Sequence, residues 1–265
     1  MELFNNVQKI ALIVEYDGRR YYGFQWQDGL PTIQAELETA LHKLTGERRR
    51  IMAASRTDTG VHATGQVASF RTRSELPAET FLKALNYYLP EDIAVKAASR
   101  IGEEFHIRRD ATGRQYEYKI YNSVTRSPLK EGFTYRVPVK LNIEIMNRAC
   151  RMLEGEHDLA SFASDLDMSK STVRTVYRAE VQREGSMVTF HIAASSFLTH
   201  QVRNTVGLLI RIGLGKVSLD EFKEVMEVKK PGTAGPAAPP YGLYLTRVNY
   251  PQDVELQYED LFNKG

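Results

Sequence analysis

The chain has 265 residues, room for one large domain or two ordinary ones of about 100–200 residues each. With 42% hydrophobic, 26% charged and 10% aromatic residues, it falls outside the collagen-like, disordered and disulfide-scaffold classes. Its 35 Lys and Arg against 33 Asp and Glu leave +2, too balanced for a histone-like polyanion binder. The cations are nonetheless clustered, at Arg48–Arg50, Arg71/Arg73, Arg108/Arg109/Arg114, Lys170/Arg174/Arg178 and Lys229/Lys230, while residues 253–260 are acidic. Local basic patches on a nearly neutral protein can still hold a polyanion. Cys150 is the single cysteine, so an internal disulfide is excluded and a reducing, cytoplasmic setting is expected. Residues 1–10 lack a basic head followed by an apolar run. The most apolar later stretch, 206–214, is broken by Arg211, so neither a signal peptide nor a membrane span is expected.

In chain order, residues 9–16 predict a largely buried strand, and 32–44 a helix with Thr32 as N-cap and Ile33, Leu37, Leu41 and Leu44 on one stripe. Strands are expected over 51–56 and 66–72. A helix then starts at Pro77, with Phe81, Leu82, Leu85 and Leu89 inward, and a strand follows over 93–98. The second half repeats the order: an alternating strand over 115–121, a helix over 143–153, a hairpin of 173–183 and 187–194, helices over 200–212 and 219–228, and a last strand over 243–248. Residues 231–240, with four prolines and two glycines, predict an extended loop. The repeated β-α-β-β-α-β order gives an α+β fold of two tandem ferredoxin-like units, 1–104 and 105–265.

Familiar cofactor signatures are missing. No G-x-G-x-x-G follows a strand, residues 213–217 lack the spacing and hydroxyl of a P-loop, and the six histidines show no metal-ligand spacing. No cofactor and no metal are therefore expected. The segment 55–63, Ser-Arg-Thr-Asp-Thr-Gly-Val-His-Ala, joins two predicted strands and carries its polar side chains on a turn at a sheet edge. By itself, Asp58 with Gly60 only shapes a turn. Two further features stand beside it: Arg203 and Asn204 on an otherwise apolar helix, and Tyr116 and Tyr118 on one face of a strand after Arg114. Taken singly, these read as a satisfied core arginine and core aromatics.

Together the landmarks resemble the tRNA pseudouridine synthase A (TruA) family. They are Tyr16-Asp17-Gly18, Gly23-Phe24-Gln25-Trp26-Gln27, Arg56-Thr57-Asp58-x-Gly60-Val61-His62-Ala63, Gln66-Val67, Phe105-His106-x-Arg108, Arg114-x-Tyr116-x-Tyr118, Phe197 with Gln201-Val202-Arg203-Asn204-x-x-Gly207, and Gly242-Leu243. Two positions depart from the family's habit: Ser55 stands where Gly is usual, and Thr199 where many members carry a basic residue.

The resemblance implies one extended sheet from the two units with a central active-site cleft, and isomerisation of uridine to pseudouridine at tRNA positions 38, 39 and 40. Asp58 would be the catalytic nucleophile or base, and Arg203 the partner that keeps it ionised and aimed. Tyr116 would stack on the target base, Arg56 would prop the extruded nucleotide, and Leu243 would close the apolar side. Phe105, His106, Arg108, Arg109, Lys170 and Arg174 would contact RNA. A homodimer is implied as well. Because the reaction exchanges a C1′–N1 for a C1′–C5 bond without oxidation or net hydration, one carboxylate suffices, unlike the paired acids of a glycosidase. Two other readings share part of these features: a pseudouridine synthase for other RNA positions, and a non-catalytic pair of RNA-recognition modules, whose aromatic strand signature the sequence lacks.

Overall fold

A computed structural model describes residues 7–166 and 171–251. The acidic run 253–260 lies outside them. The fold is α+β and falls into two compact units, one of residues 7–112 together with 245–251, the other of 113–244.

In the first unit the apolar run of strand β1 (Gln8–Tyr16) is buried on both faces, as a central strand must be. It pairs antiparallel with β3 (His62–Thr72) and with β4 (Ile93–Ile101), Leu12 facing Ala68 on one side and Ala98 on the other. The short β2 (Met52–Ala53) lies along β3, so the neighbour order β4-β1-β3-β2 reproduces the ferredoxin-like pattern; β10 (Leu243–Asn249) also borders β3. Helix α1 (Ile33–Thr45) begins where the Thr32 hydroxyl accepts from the Ala35 N–H at 3.3 Å. It stops at Gly46, whose φ of 73° is the left-handed C-cap. Its stripe of Ile33, Leu37, Ala40 and Leu41 is buried, while Leu44 is half-buried.

Helix α2 (Ala78–Tyr88) buries Phe81 and Leu85 completely, burial that contributes about 1.5–3 kcal/mol for each side chain. Leu82 and Leu89 are half-buried. The helix ends just before Pro90, and the Asn86 amide ties its last turn to β4 by donating to Val95 O (2.8 Å) and accepting from Val95 N (2.7 Å).

The strand expected over 51–56 is the main correction in this unit, because regular pairing covers only Met52–Ala53. Ala54 still donates to Val67 O, but beyond it the Gln66 side chain replaces the ladder. Gln66 Nε2 donates to Ser55 O at 2.7 Å, and its Oε1 accepts from Ser55 N at 3.3 Å. The neighbouring strand starts four residues earlier than expected, at His62 rather than 66.

In the second unit β5 (Gly113–Asn122) alternates as predicted, with Arg114, Tyr116, Tyr118 and Ile120 on the buried face. It pairs antiparallel with β9 (Met187–Ala194), which forms the expected hairpin with β8 (Val173–Glu184). Two short strands were not foreseen: β6 (Tyr135–Val137), parallel to β5, and β7 (Gly155–Asp158), which extends the sheet beyond β8. Three and four residues, one of the runs being Gly-Glu-His-Asp, are too short and too polar to show an alternation.

Helix α3 (Ile143–Leu153) occupies the predicted span, with Asn142 as its cap. Helix α4 (Gln201–Gly213) is buried nearly all round. Helix α5 (Leu219–Val228) opens with a reciprocal Ser218–Glu221 capping box. Among the described residues, no helix is long and apolar enough to cross a membrane.

Candidate active site

The candidate site residues fall into both units, and each group has its own support. In the first unit the loop 54–61, between β2 and β3, carries Arg56 and Asp58. It is gripped from beneath by the segment that follows β1. Phe24 N donates to Thr57 O (3.1 Å), Gly60 N to Tyr21 O (3.3 Å), and the buried Tyr16 and Thr57 hydroxyls share a 2.7 Å hydrogen bond. Val61 N closes a turn onto Asp58 O at 3.1 Å, with Gly60 at a φ of 77°.

Two glycines make this contact possible. A Cβ at Gly18 would stand 2.0 Å from Val61 O, and one at Gly23 would stand 2.5 Å from Thr57 O. The landmarks around residues 16–18 and 23–27 therefore brace the aspartate loop. Asp58 is half-buried and Arg56 exposed, with the backbone on either side of them fixed.

Behind the loop, the buried His62 places Nδ1 3.3 Å from both the Gly18 N–H and an Asp17 carboxylate oxygen. Burial works to raise the Asp17 carboxyl. The side chain and backbone N–H of Arg19, together with His62, outweigh it and hold the group below the usual carboxylate range.

A cleft of about 260 Å³ opens beside the loop, entirely within this unit. Arg50, Arg56 and Arg108 line it, over an apolar floor that includes Phe24, Ile51 and Met52. Of the proposed RNA contacts here, Arg108 thus joins Arg56 on one cleft. Arg109 is engaged elsewhere: Nε donates to Asp110 at 2.8 Å and Nη2 to Glu104 O at 3.2 Å. His106 has a local role, since its Nδ1 accepts from the backbone N–H groups of Arg108 and Arg109 and its own N–H donates to Asp110. Phe105 packs edge-on against Tyr250, ring centres 5.1 Å apart.

In the second unit, Tyr116 is buried and meets Phe197 edge-to-face, with centroids 5.1 Å apart. Arg203, on the first turn of α4, sends Nε to Ala238 O at 2.9 Å, while Ala238 N donates back to Arg203 O at 2.9 Å. The helix is positioned by two buried amides that sequence reading did not single out for that task. Gln201 Oε1 accepts from Leu198 N (2.9 Å), and Asn204 Nδ2 donates to Phe162 O (2.7 Å) and Ser164 Oγ (3.1 Å). His200, just before the helix, has φ 60°, an uncommon backbone for a residue with a side chain.

Leu243 is buried at the start of β10. Arg174 lies on β8 and is partly buried, its Nη1 donating to Ser171 O and Val173 O at 2.7 Å. Burial lowers its basicity. Lys170 lies outside the described residues. Among the described residues, no group of three or more His, Cys, Asp or Glu is arranged to hold a metal ion.

A family model described as tRNA pseudouridine synthase matches residues 12–110 and 149–251. A tRNA pseudouridine synthase A of Acetivibrio thermocellus is 43% identical over 92% of this chain and 100% of its own length. Proteins of the same name from Neisseria meningitidis and a Thermoanaerobacter species are 42% and 39% identical over 92% of this chain and 93% and 100% of theirs. A chain of a solved Cbf5-Nop10-Gar1 complex aligns at a TM-score of 0.30 and 13% identity, covering 76% of this chain and 54% of that one, a likeness too loose to bear on the fold. With matches of this extent to the family model and to full-length relatives, the chain belongs to the tRNA pseudouridine synthase family.

Proposed function

We propose that the chain isomerises uridine to pseudouridine at positions 38, 39 and 40 of the tRNA anticodon stem-loop, with Asp58 as its catalytic carboxylate. The observation that carries this reading is the loop 54–61. A family-specific aspartate rides on a turn whose backbone is held at Thr57, Asp58 and Gly60 by hydrogen bonds and by the close approach of Gly18 and Gly23. Such bracing is what a group needs if it must meet a sugar carbon at a fixed angle.

In the reaction the C1′–N1 bond breaks, the uracil turns, and C1′–C5 forms. The proton on C5 leaves and N1 gains one, so nothing is oxidised and no cofactor is called for. Asp58 acts either by attacking C1′ or by removing a sugar proton to start elimination. Tyr116, held edge-on by Phe197, is suited to stack on the uracil, and its hydroxyl to exchange the C5 proton. Arg203 is proposed as the ion-pair partner of Asp58 on the family resemblance, with Leu243 supplying apolar cover. Arg56 would support the nucleotide once it leaves the stack, which a paired base must do before any group can reach its sugar. Phosphate contacts from Arg108, Arg109 and Arg174, with Phe105, His106 and Lys170, would position the stem without reading its sequence. A cytoplasmic site of action and a homodimer belong to the same proposal.

Mapping pseudouridine in tRNA from cells with and without the gene tests the reading. Loss at positions 38–40, restored by the purified protein, supports it. An unchanged map overturns it. Sedimentation of the free protein tests the dimer separately.

A further inference from the structure

We infer that the cleft beside the aspartate loop is a second nucleotide site, which takes an unpaired base of the RNA next to the uridine being isomerised. Its lining combines two features seldom found together. Phe24, Ile51, Met52 and Ala53 give it an apolar side, Gln25 and Gln34 add two amides, and the cations Arg50, Arg56 and Arg108 stand around it; among the described residues no carboxylate lines it. An apolar slot asks for a flat, weakly hydrated group, and the guanidinium groups of Arg56 and Arg108 ask for an anion, while Arg50, already paired with Glu38, offers chiefly its planar face. A nucleotide is both, and base stacking with phosphate pairing is the common way to hold single-stranded RNA.

Arg50 is fixed in advance for this task. Its Nη1 lies 3.2 Å from the Glu38 carboxylate and its guanidinium sits 4.8 Å above the Trp26 ring, two contacts that hold it at the cleft wall. Glu38 is in turn held by Ile51 N at 2.9 Å and by the Gln34 amide at 2.7 Å. Gln34 also accepts from Trp26 N at 2.9 Å, which ties the tryptophan, the arginine and the cleft wall into one hydrogen-bonded unit. At about 260 Å³ the space suits one base. Arg56 lines the cleft two residues before Asp58. With a uridine at Asp58, the occupant therefore has to be a near neighbour of it in the same RNA. As the action on tRNA is itself proposed above, the site rests on that reading.

Trp26 is the only tryptophan, and because Arg50 of the cleft wall is stacked on its ring, its fluorescence reports on what enters the cleft. The test uses anticodon stem-loops carrying a single 5-iodouridine at each position flanking 38–40 in turn, irradiated with the full-length protein, and the crosslinked peptide is then sequenced. Crosslinks from a flanking base to residues 24–53, with Trp26 quenched on binding, are expected. Ala53→Leu, which fills the floor, and Arg50→Gln should each weaken stem-loop binding roughly ten-fold while the protein stays folded.

A crosslink to this segment from the isomerised uridine alone would overturn the inference, as would its absence on an RNA that the protein isomerises. Quenching by free uridine or adenosine monophosphate as strong as by the stem-loop would mean that a free nucleotide, not the RNA chain, is the occupant. Crosslinking without any isomerisation would keep the cleft and sink the proposed function instead, so the two fail separately.

Discussion

Arg203 and Ala238 grip one another twice: the guanidinium Nε donates to the Ala238 carbonyl and the Ala238 N–H donates to the Arg203 carbonyl, both at 2.9 Å. The proline-rich segment 231–240 is thus a brace for a helix side chain as well as an extended connection. It comes this close because Gly207, one turn further along α4, has no side chain; a Cβ there would lie 2.2 Å from Pro236 O. Gly207→Ala must push the segment away, at a cost of about 1–3 kcal/mol. If Arg203 is the partner of Asp58, as proposed, it then loses its aim, and turnover should fall well beyond the loss in tRNA affinity. Single-turnover rates set beside filter-binding titrations check this. Equal losses in both would mean that the brace serves stability alone.

Asp58→Asn should abolish isomerisation and leave tRNA affinity within a few fold. The amide keeps the shape of the side chain but cannot attack a carbon or take up a proton, and on the proposed reading phosphate contacts, which the substitution leaves alone, supply most of the affinity. Tritium release from [5-³H]uridine-labelled tRNA measures the first quantity and filter binding the second. Turnover near the wild-type rate would remove Asp58 from the mechanism.

Gly18→Ala probes the support beneath that loop. The added methyl would stand 2.0 Å from the Val61 carbonyl, and Gly18 has an ordinary φ, so the effect comes from the clash and not from backbone strain. We expect a loss of about 1–3 kcal/mol in urea denaturation, with turnover falling further than that loss explains at 25 °C. A variant of unchanged stability and rate would show that the loop tolerates displacement.

How much of this was legible in the sequence depends on range. The Thr32 cap, the stripe of α1 and the tyrosine alternation of β5 are local patterns, and each is found in its predicted place. The end of β2 was not legible. Residues 54–56 read as strand, but the partner of Ser55 is the side chain of Gln66, eleven positions away, and no periodicity reports such a contact. The same holds within the candidate site. Asp58 announces itself through a string of neighbours, whereas the roles of Gly18, Gly23 and Gly207 emerge only when the carbonyls opposite them are known. The cleft beside the loop draws on residues near 24, 50 and 108, and the run Arg48–Arg50 gave no hint that one of its members is stacked on Trp26.

Cys150 should be silent toward thiol reagents in the folded protein. Its side chain is buried within α3, and that burial, with Glu154 nearby, pushes the thiol up to about 12 from its usual 9.0. At pH 8 it is a neutral thiol, and the thiolate is the form that reacts. The sign for stability follows: the folded state prefers the protonated thiol, so this contribution is intact below pH 9 and drains away as pH rises from 9 toward 12. Ellman's reagent at pH 8 should react only after denaturant is added. Prompt reaction without denaturant would contradict the burial.

The final prediction separates two neighbouring cations that look equivalent in the sequence. Arg108 lines the cleft, whereas Arg109 is bound to Asp110 at 2.8 Å and to the Glu104 carbonyl at 3.2 Å. Pairing with Asp110 raises the arginine further and holds the carboxyl below its usual range, so both stay charged across the working pH. A guanidinium already shared with a carboxylate brings little new charge to a phosphate. If the phosphates run into the cleft that Arg108 lines, Arg108→Ala should reduce the slope of log affinity against log salt by about one unit, and Arg109→Ala, whose charge is shared with Asp110, by distinctly less. Both variants should weaken different tRNAs alike, because phosphate contacts position an RNA without specifying it. Fluorescence titrations of the two single variants at several salt concentrations measure the slopes. If Arg109→Ala shows the larger change, the Asp110 pair must open when RNA binds, and the path of the phosphates then runs along residues 104–110 rather than into the cleft.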